Sequence, residues 1–359
     1  MNIHLFTEHD LDSPGRYLDS GAIRHGAFPY GADRLSQLGN SLSWSRISGP
    51  SRLTERAWTA LEHRTRAYPR RGLTRLRAIQ RSDVMLALLE PNASFPAWAR
   101  RHHIPPFHST PLALWSCWAA EELLTGTEQR RRQLLALLQE CDVVYFLSRN
   151  QQDIFAGYGV PEEKLQCIDF GINPDLFPRQ QEQRTIDVVS VGLDRGRDYD
   201  TLIEAARGVS WDVVIKTSEG FRPSTSHLPP NVQLGGPVSF DEYRCLLQKA
   251  KIVVVPSKKM AYPSGQSVAL QAASTGAPVV TARTSALQHY FTDGIDSRLY
   301  EPGDHLDLRR CINGLYDNAE LRTSIGERAA QLVRESFTEE LMWTQVHEDL
   351  SQRVTPEVG

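Results

Sequence analysis

Apolar runs without polar alternation recur along the chain, and segments mixing apolar and polar residues at helical spacing fall between them. In the first half, Asn2–Phe6, Ser41–Ile47, Asp83–Leu89, Asp142–Leu147 and Lys164–Ile168 read as strands. Runs of this kind suit a parallel sheet covered on both faces, where no edge of the pattern needs to be polar. Gly31–Gly39, Thr54–His63, Phe95–His102, Leu114–Leu124, Thr127–Gln139 and residues 150–158 read as helices, with Thr54 and Ser148 placed to cap two of them. Leu134, Leu135, Leu137 and Leu138 give the helix over 127–139 a broad apolar side. Ile104–Leu112 carries three prolines and is expected to be extended, because proline is excluded from a helix interior.

A polar stretch, Pro178–Arg184, reads as a linker, and the alternation then resumes. Ile186–Val191, Trp211–Ile215, Asn231–Leu234, Ile252–Val255, a segment from Pro278 and Arg298–Tyr300 are strands. Tyr199–Ala206, Ser239–Ala250, Gln266–Ser274, Asp307–Asp317, Asn318–Glu335 and Glu339–Gln352 are helices, and Ser239 with Glu242 forms a capping-box pattern. The pattern predicts an α/β protein of two Rossmann-like, doubly wound domains, 1–178 and 179–338, facing each other across a cleft. The last helix, 339–354, is expected to pack back on the first domain.

Ile252 to Thr281 is the most informative run. A buried strand, a small-residue turn at Pro263-Ser264-Gly265, a helix and another strand make a parallel crossover unit. Amides of Gly265, Gln266 and Ser267 at that helix start, with the positive end of its dipole, suit a phosphate group. An ordinary sheet crossover gives the same local pattern, so the motif alone does not decide.

Composition narrows the function classes. The chain has 359 residues, 40% hydrophobic and 23% charged, with no apolar run long enough to span a bilayer. Its start, MNIHLFTEHD, lacks the basic leader and apolar core of a signal peptide. Five scattered cysteines show no metal-like spacing and fit reduced thiols in a cytoplasmic protein. A net charge of −3 supplies no global attraction to nucleic acid or membrane. The arginine-rich stretch Arg64–Arg81 reads as a solvated basic face or as a docking patch for an anionic partner. Thr7–Tyr30, without helical or strand period, holds His9, Arg16, Tyr17, Arg24 and His25 as residues able to face a substrate. His108 is expected at a strand end beside the cleft, with a satisfied structural histidine as the alternative.

Several segments together resemble the retaining glycosyltransferases of family 4. They are Val191-Gly192 with Arg197 and Thr201–Ala205, Ile252–Pro256, Ser264-Gly265-Gln266, Gln271-Ala272, and Thr275–Val280. Tyr300–Asp304 with Leu308, Glu335–Thr338, Phe146-Leu147-Ser148, and Phe170–Asn173 with Phe177 extend the likeness over about residues 140 to 345. The resemblance implies the GT-B fold and a hexosyltransferase-type enzyme. It also implies transfer of a sugar from a nucleoside diphosphate-sugar, with retained anomeric configuration and without a metal or other cofactor. Arg197 aligns with the family's phosphate-binding lysine, and Arg195 shares its loop; arginine preserves the role through its planar fork. Gly192, Lys216, Ser264, Gly265, Gln266, Ser267 and Gln271 fall at nucleotide-sugar positions, and Gly236 and Val238 fall where the base is read. His108, with His103 behind it, is the candidate for the family's acceptor-side histidine.

The departures are specific. Two family glutamates eight residues apart are replaced by Pro263 and Gln271, which points to a modified or deoxygenated donor sugar. The family's glycine-rich loop after the first strand is absent. UDP, GDP and dTDP are not distinguished, the acceptor is small or lipid-linked, and peripheral membrane contact and a homodimer stay open. A non-catalytic sugar-nucleotide-binding homologue and a sugar-nucleotide epimerase are the competing functions.

Overall fold

The computed structural model describes residues 1–9, 11, 28–45, 62, 69–73, 75–179 and 183–354. Two compact units divide the chain. One contains the N-terminal strand, Gly26–Ile168 and the chain from Met342 onward; the other contains Asp169–Leu341. The first division therefore precedes the polar 178–184 stretch.

In the first unit, strands β1 (Asn2–Phe6), β2 (Ser41–Trp44), β3 (Val84–Leu88), β4 (Leu112–Trp115), β5 (Val143–Phe146) and β6 (Leu165–Cys167) form a sheet in the order β2-β1-β3-β4-β5-β6. All its pairings are parallel, with Ile3 opposite Val84 and Leu86 opposite Ala113. Every residue of β3, β4 and β5 is buried, as strands covered on both faces require. Helices α1 (Glu90–Arg101), α2 (Ala119–Thr125), α3 (Glu128–Glu140) and α4 (Asn150–Gly157) connect them. Leu134 and Leu138 are the buried residues of α3, and Thr127 caps it by accepting from the Arg130 amide.

The second unit repeats the plan with β7 (Ile186–Val191), β8 (Val213–Lys216), β9 (Val232–Gly235), β10 (Ala250–Val255), β11 (Val279–Ala282) and β12 (Ser297–Tyr300). Its parallel order is β12-β11-β10-β7-β8-β9. Helices α5 (Tyr199–Ala205), α6 (Phe240–Lys249), α7 (Gln266–Ser274), α8 (His305–Tyr316) and α9 (Ala319–Ser336) flank it. Val188, Leu202, Ile203, Val213, Ile252, Val254, Val280, Leu308 and Ile312 form one continuous core between sheet and helices. Ser239 caps α6 through the Glu242 amide. The final helix, α10 (Glu339–Val354), returns to the first unit. There Trp343 Nε1 donates to Tyr30 O at 2.7 Å, and Asp349 Oδ2 accepts from Tyr145 Oη at 2.7 Å.

Several expectations are corrected. Leu114–Leu124 is not one helix: Leu112–Trp115 is strand β4, and α2 starts only at Ala119. Leucine and alanine there have no strong strand preference and only Trp115 favours a strand, so burial between β3 and β5 decides. Ile104–Leu112 is not extended until Leu112 begins β4; prolines suit turns as well, and His108 N reaches Ile104 O at 3.2 Å. The helix expected over Phe95–His102 starts earlier, at Glu90, with Pro91 in the first turn where its missing N–H has no partner to lose. Ser148 does not cap α4; its hydroxyl donates to Gln151 Oε1 at 3.0 Å. Over Gly31–Gly39 the helix is reduced to Arg34–Gln37, and Gly39 closes it at φ +83°. The Thr54–His63 helix lies outside the described residues except Glu62. The five cysteines are all free.

Candidate functional site

Each parallel sheet has one point where the chain's direction of travel reverses: between β1 and β3 in the first unit, and between β7 and β10 in the second. Ligands of such sheets bind beyond the carboxyl ends of the strands at that point. In the second unit this places the loop 192–198, after β7, beside the loop 256–265, after β10. A bridge joins them: Asp198 N donates to Pro256 O at 3.0 Å, and Lys258 N donates to Gly196 O at 2.8 Å.

Arg197 lies in this bridge. It is 6% exposed, and its guanidinium sits between two glycines. A Cβ on Gly192 would lie 2.6 Å from Nη2, and one on Gly265 would lie 2.1 Å from Nη1. Both positions therefore exclude a side chain so that the guanidinium can occupy the gap. Nη2 donates to Val191 O at 3.4 Å, while Nε and Nη1 are buried without a hydrogen-bond partner among the described residues. A buried guanidinium left partly unpaired is costly, and an incoming anion supplies what it lacks.

Gly265 is also the N-cap of α7, at φ +86°, and no side chain caps that helix. Gln266 N is satisfied by Pro263 O at 3.0 Å; the amides of Ser267 and Val268 make no hydrogen bond within the described residues. Gln266 Oε1 is buried and has no hydrogen-bond partner among the described residues. The positive end of α7 and the Arg197 charge thus converge on Gly265.

Three further groups hold this arrangement. Asp194 Oδ1 accepts from Gly196 N at 2.9 Å, Tyr262 Oη at 2.8 Å and Ser264 Oγ at 2.6 Å. Ser257 Oγ donates to Ser264 O at 2.8 Å, and Tyr199 Oη donates to Gly192 O at 2.7 Å. Burial raises the Tyr199 pKa, with the nearby Arg197 charge pulling against it. Tyr243 is raised by burial in the same way and also feels Arg197.

The remaining expected residues are placed as follows. Arg195 is exposed on the loop that carries Arg197. Lys216 ends β8, where its carbonyl accepts from Gly192 N at 3.0 Å; its Nζ lies 3.5 Å from Glu242 Oε1 and packs over Gly235. Gly236, exposed, and Val238, half-buried, follow β9. Gln271 Oε1 is taken by the Tyr243 hydroxyl, a contact from α6 to α7.

His108 is not at a carboxyl strand end. It lies in the turns before β4, on the sheet's amino edge, exposed, its Nδ1 3.2 Å from that of His103. The carboxyl edge of that sheet carries Glu90 instead, directly after β3. Glu90 is 2% exposed, and its Oε1 accepts from Ser116 Oγ (2.7 Å) and the amides of Cys117 (3.0 Å), Trp118 (2.7 Å) and Ala119 (2.7 Å). His9, after β1, has its pKa lowered by burial, with Glu8 opposing and Arg71 adding to the fall. Arg16, Tyr17, Arg24 and His25 lie outside the described residues, as do Arg64 and Arg66 of the basic stretch, whose Arg77 and Arg81 are exposed. Sequence reasoning missed Asp194, Glu90 and Tyr243. A lone carboxylate after an apolar strand was the only local signal for the first two.

Among the described residues no helix is long and apolar enough to cross a membrane. The sequence profile of a family described as glycosyl transferase-like matches residues 197–348. An uncharacterised glycosyltransferase of Methanocaldococcus jannaschii is 28% identical over 166 residues, which is 43% of this chain and 45% of that protein. Among solved structures, sucrose-phosphate synthase from Thermosynechococcus elongatus matches with a TM-score of 0.69 and 16% identity, over 98% of this chain and 100% of that one. Anabaena HepE, solved in complex with UDP and glucose, matches with a TM-score of 0.67 and 15% identity over 98% and 100%. The fold is GT-B: two parallel six-stranded sheets with flanking helices, as in these neighbours. The family match is confined to residues 197–348, and the chain spans less than half the length of the Methanocaldococcus protein it matches.

Proposed function

We propose that this protein is a hexosyltransferase-type glycosyltransferase that takes its donor, a nucleoside diphosphate-sugar, at the start of α7. The observation that carries the reading is Arg197: a buried guanidinium, wedged between Gly192 and Gly265, with two nitrogens unpaired at an uncapped helix N-terminus. A diphosphate meets each of those needs at once. Its oxygens accept from the guanidinium and from the free amides of α7. As the glycosidic bond to the diphosphate breaks, negative charge grows on the leaving oxygen. Fixed donors already aimed there stabilise it without reorganising, so no metal is required in this scheme. Transfer proceeds with retention to a small or lipid-linked acceptor. Anabaena HepE, a GT-B neighbour, has been solved with UDP-glucose, which supports a nucleotide-sugar as the donor class.

Sugar recognition departs from a carboxylate-based scheme. Pro263 has no polar side-chain group, and Tyr262 and Ser264 on either side of it are turned to Asp194. A modified or deoxygenated sugar fits that surface. A second reading, nucleotide-sugar binding without transfer, is favoured by one observation: the Gln271 carbonyl is already engaged by Tyr243. Titrating UDP, GDP and dTDP against the protein and against Arg197→Ala tests the donor site, and the reading predicts that one nucleotide binds only the former. Release of sugar from the matching donor separates transfer from binding alone. A protein that binds none of the three nucleotides is not this enzyme.

A further inference from the structure

The loop carrying Arg197 and the loop leading into α7 come from opposite sides of the switch point, about sixty residues apart in sequence. Their register decides whether the guanidinium and the helix amides point at one diphosphate. Main-chain bonds set the depth of the bridge but attach only to residues 256–258. The Ser257 hydroxyl ties the bridge to Ser264 O, and the side chains of the turn are held from the other loop by Asp194. Its Oδ1 takes Tyr262 Oη and Ser264 Oγ, on both sides of Pro263, together with the Gly196 amide. The fit is tight: a Cβ on Gly196 would stand 2.6 Å from Ser264 Oγ and 2.9 Å from Asp194 Oδ1. Ser264 is buried, so losing its acceptor strands its hydroxyl away from water.

We infer that Asp194 is a positioning residue for the nucleotide-sugar site: its carboxylate holds Ser264 and Gly265 in register with Arg197. The inference rests on the donor site proposed above. Its sign is diagnostic. A carboxylate near a diphosphate repels it, so a direct electrostatic role predicts tighter binding when the charge is removed. A positioning role predicts the opposite for alanine, and near-normal binding for asparagine, which keeps an acceptor oxygen in the same place.

The test is calorimetric titration of UDP, GDP and dTDP into the wild type, Asp194→Ala and Asp194→Asn. The expected result is a loss of about tenfold or more for Asp194→Ala in the nucleotide that the wild type binds, with Asp194→Asn restoring affinity to within about threefold. Equal or tighter binding by Asp194→Ala overturns the inference, and so does an asparagine variant as weak as alanine. If Asp194→Ala does not fold, the double variant Tyr262→Phe/Ser264→Ala removes the same two bonds while keeping the carboxylate. The same tenfold loss is expected of it, and wild-type affinity overturns the inference. A wild type that binds none of the three nucleotides removes the donor-site reading and this inference with it, whereas binding that is indifferent to Asp194 removes the inference alone.

Discussion

Arg197 is the residue whose surroundings make least sense without a ligand. Desolvating a guanidinium and leaving Nε and Nη1 unpaired opposes folding, yet Gly192 and Gly265 both give up a side chain to admit it. On the proposed reading two charge-assisted hydrogen bonds to phosphate are at stake, so Arg197→Ala should weaken nucleotide diphosphate binding by about a hundredfold. Arg197→Lys should recover only part of that, because an ammonium lacks the planar fork. Gly265→Ala tests the other half of the contact. At φ +86° an alanine is strained by about 1 kcal/mol or more, and its Cβ collides with Nη1. The variant should lower the urea midpoint modestly and nucleotide affinity severely. A Gly265→Ala protein that binds nucleotide normally places the guanidinium elsewhere when ligand is present.

At the level of elements, the two strand ends at the switch points are organised by carboxylates: Asp194 after β7 and Glu90 after β3. Glu90 Oε1 collects three consecutive amides at the start of α2 and the Ser116 hydroxyl, so this one side chain binds the carboxyl end of β3 to the helix following β4. Glu90→Ala leaves those donors buried without an acceptor and should destabilise the first unit by about 3 kcal/mol or more. Glu90→Gln, which keeps one acceptor oxygen, should cost distinctly less; equal urea midpoints for the two variants would show that the oxygen is not what matters. The contrast also explains what could be read from the chain. The crossover through β10, α7 and β11 was legible because its signals are local: a β-branched run, a Gly at the helix start and another at its end. Arg197, a cation in the loop after β7, is singled out by the resemblance to family 4 rather than by a local pattern. Glu90 and Asp194 were not legible, since the partners of Glu90 lie 26 to 29 residues on and the tyrosine and serine held by Asp194 lie 68 and 70 residues on. Strand β4 failed for a related reason: in Leu112–Trp115 only the tryptophan favours a strand, and pairing with β3 and β5 decides it. The extended reading of the 104–112 segment carried His108 to the wrong edge of the sheet.

Across the whole molecule, acid should act on the first unit through its histidines. His4 lies in β1, buried, its Nδ1 2.8 Å from Ser43 Oγ. Burial, aided by the charge of Arg75, lowers its pKa from 6.5 to about 3. His9, just past the same strand, is lowered as well. The folded protein keeps His4 neutral in the window from pH 6.5 down to about 3, whereas the unfolded chain takes up the proton there. More protons on the unfolded state means stability falls as pH falls through that window, by up to about 1.4 kcal/mol per pH unit from His4, and is unaffected by it above pH 6.5. Among the described residues, Trp44, Trp98, Trp115, Trp118 and Trp343 belong to the first unit and Trp211 to the second, so tryptophan fluorescence reports mainly on the part where these histidines sit. Urea unfolding followed by fluorescence should therefore weaken steeply between pH 6.5 and pH 4.5. His4→Asn, which can still meet the Ser43 hydroxyl but takes up no proton, should flatten that dependence relative to the wild type. Carboxylates titrate equally in both proteins, so the difference between the two profiles isolates His4, and parallel profiles would mean that its neutral form is not what the fold protects.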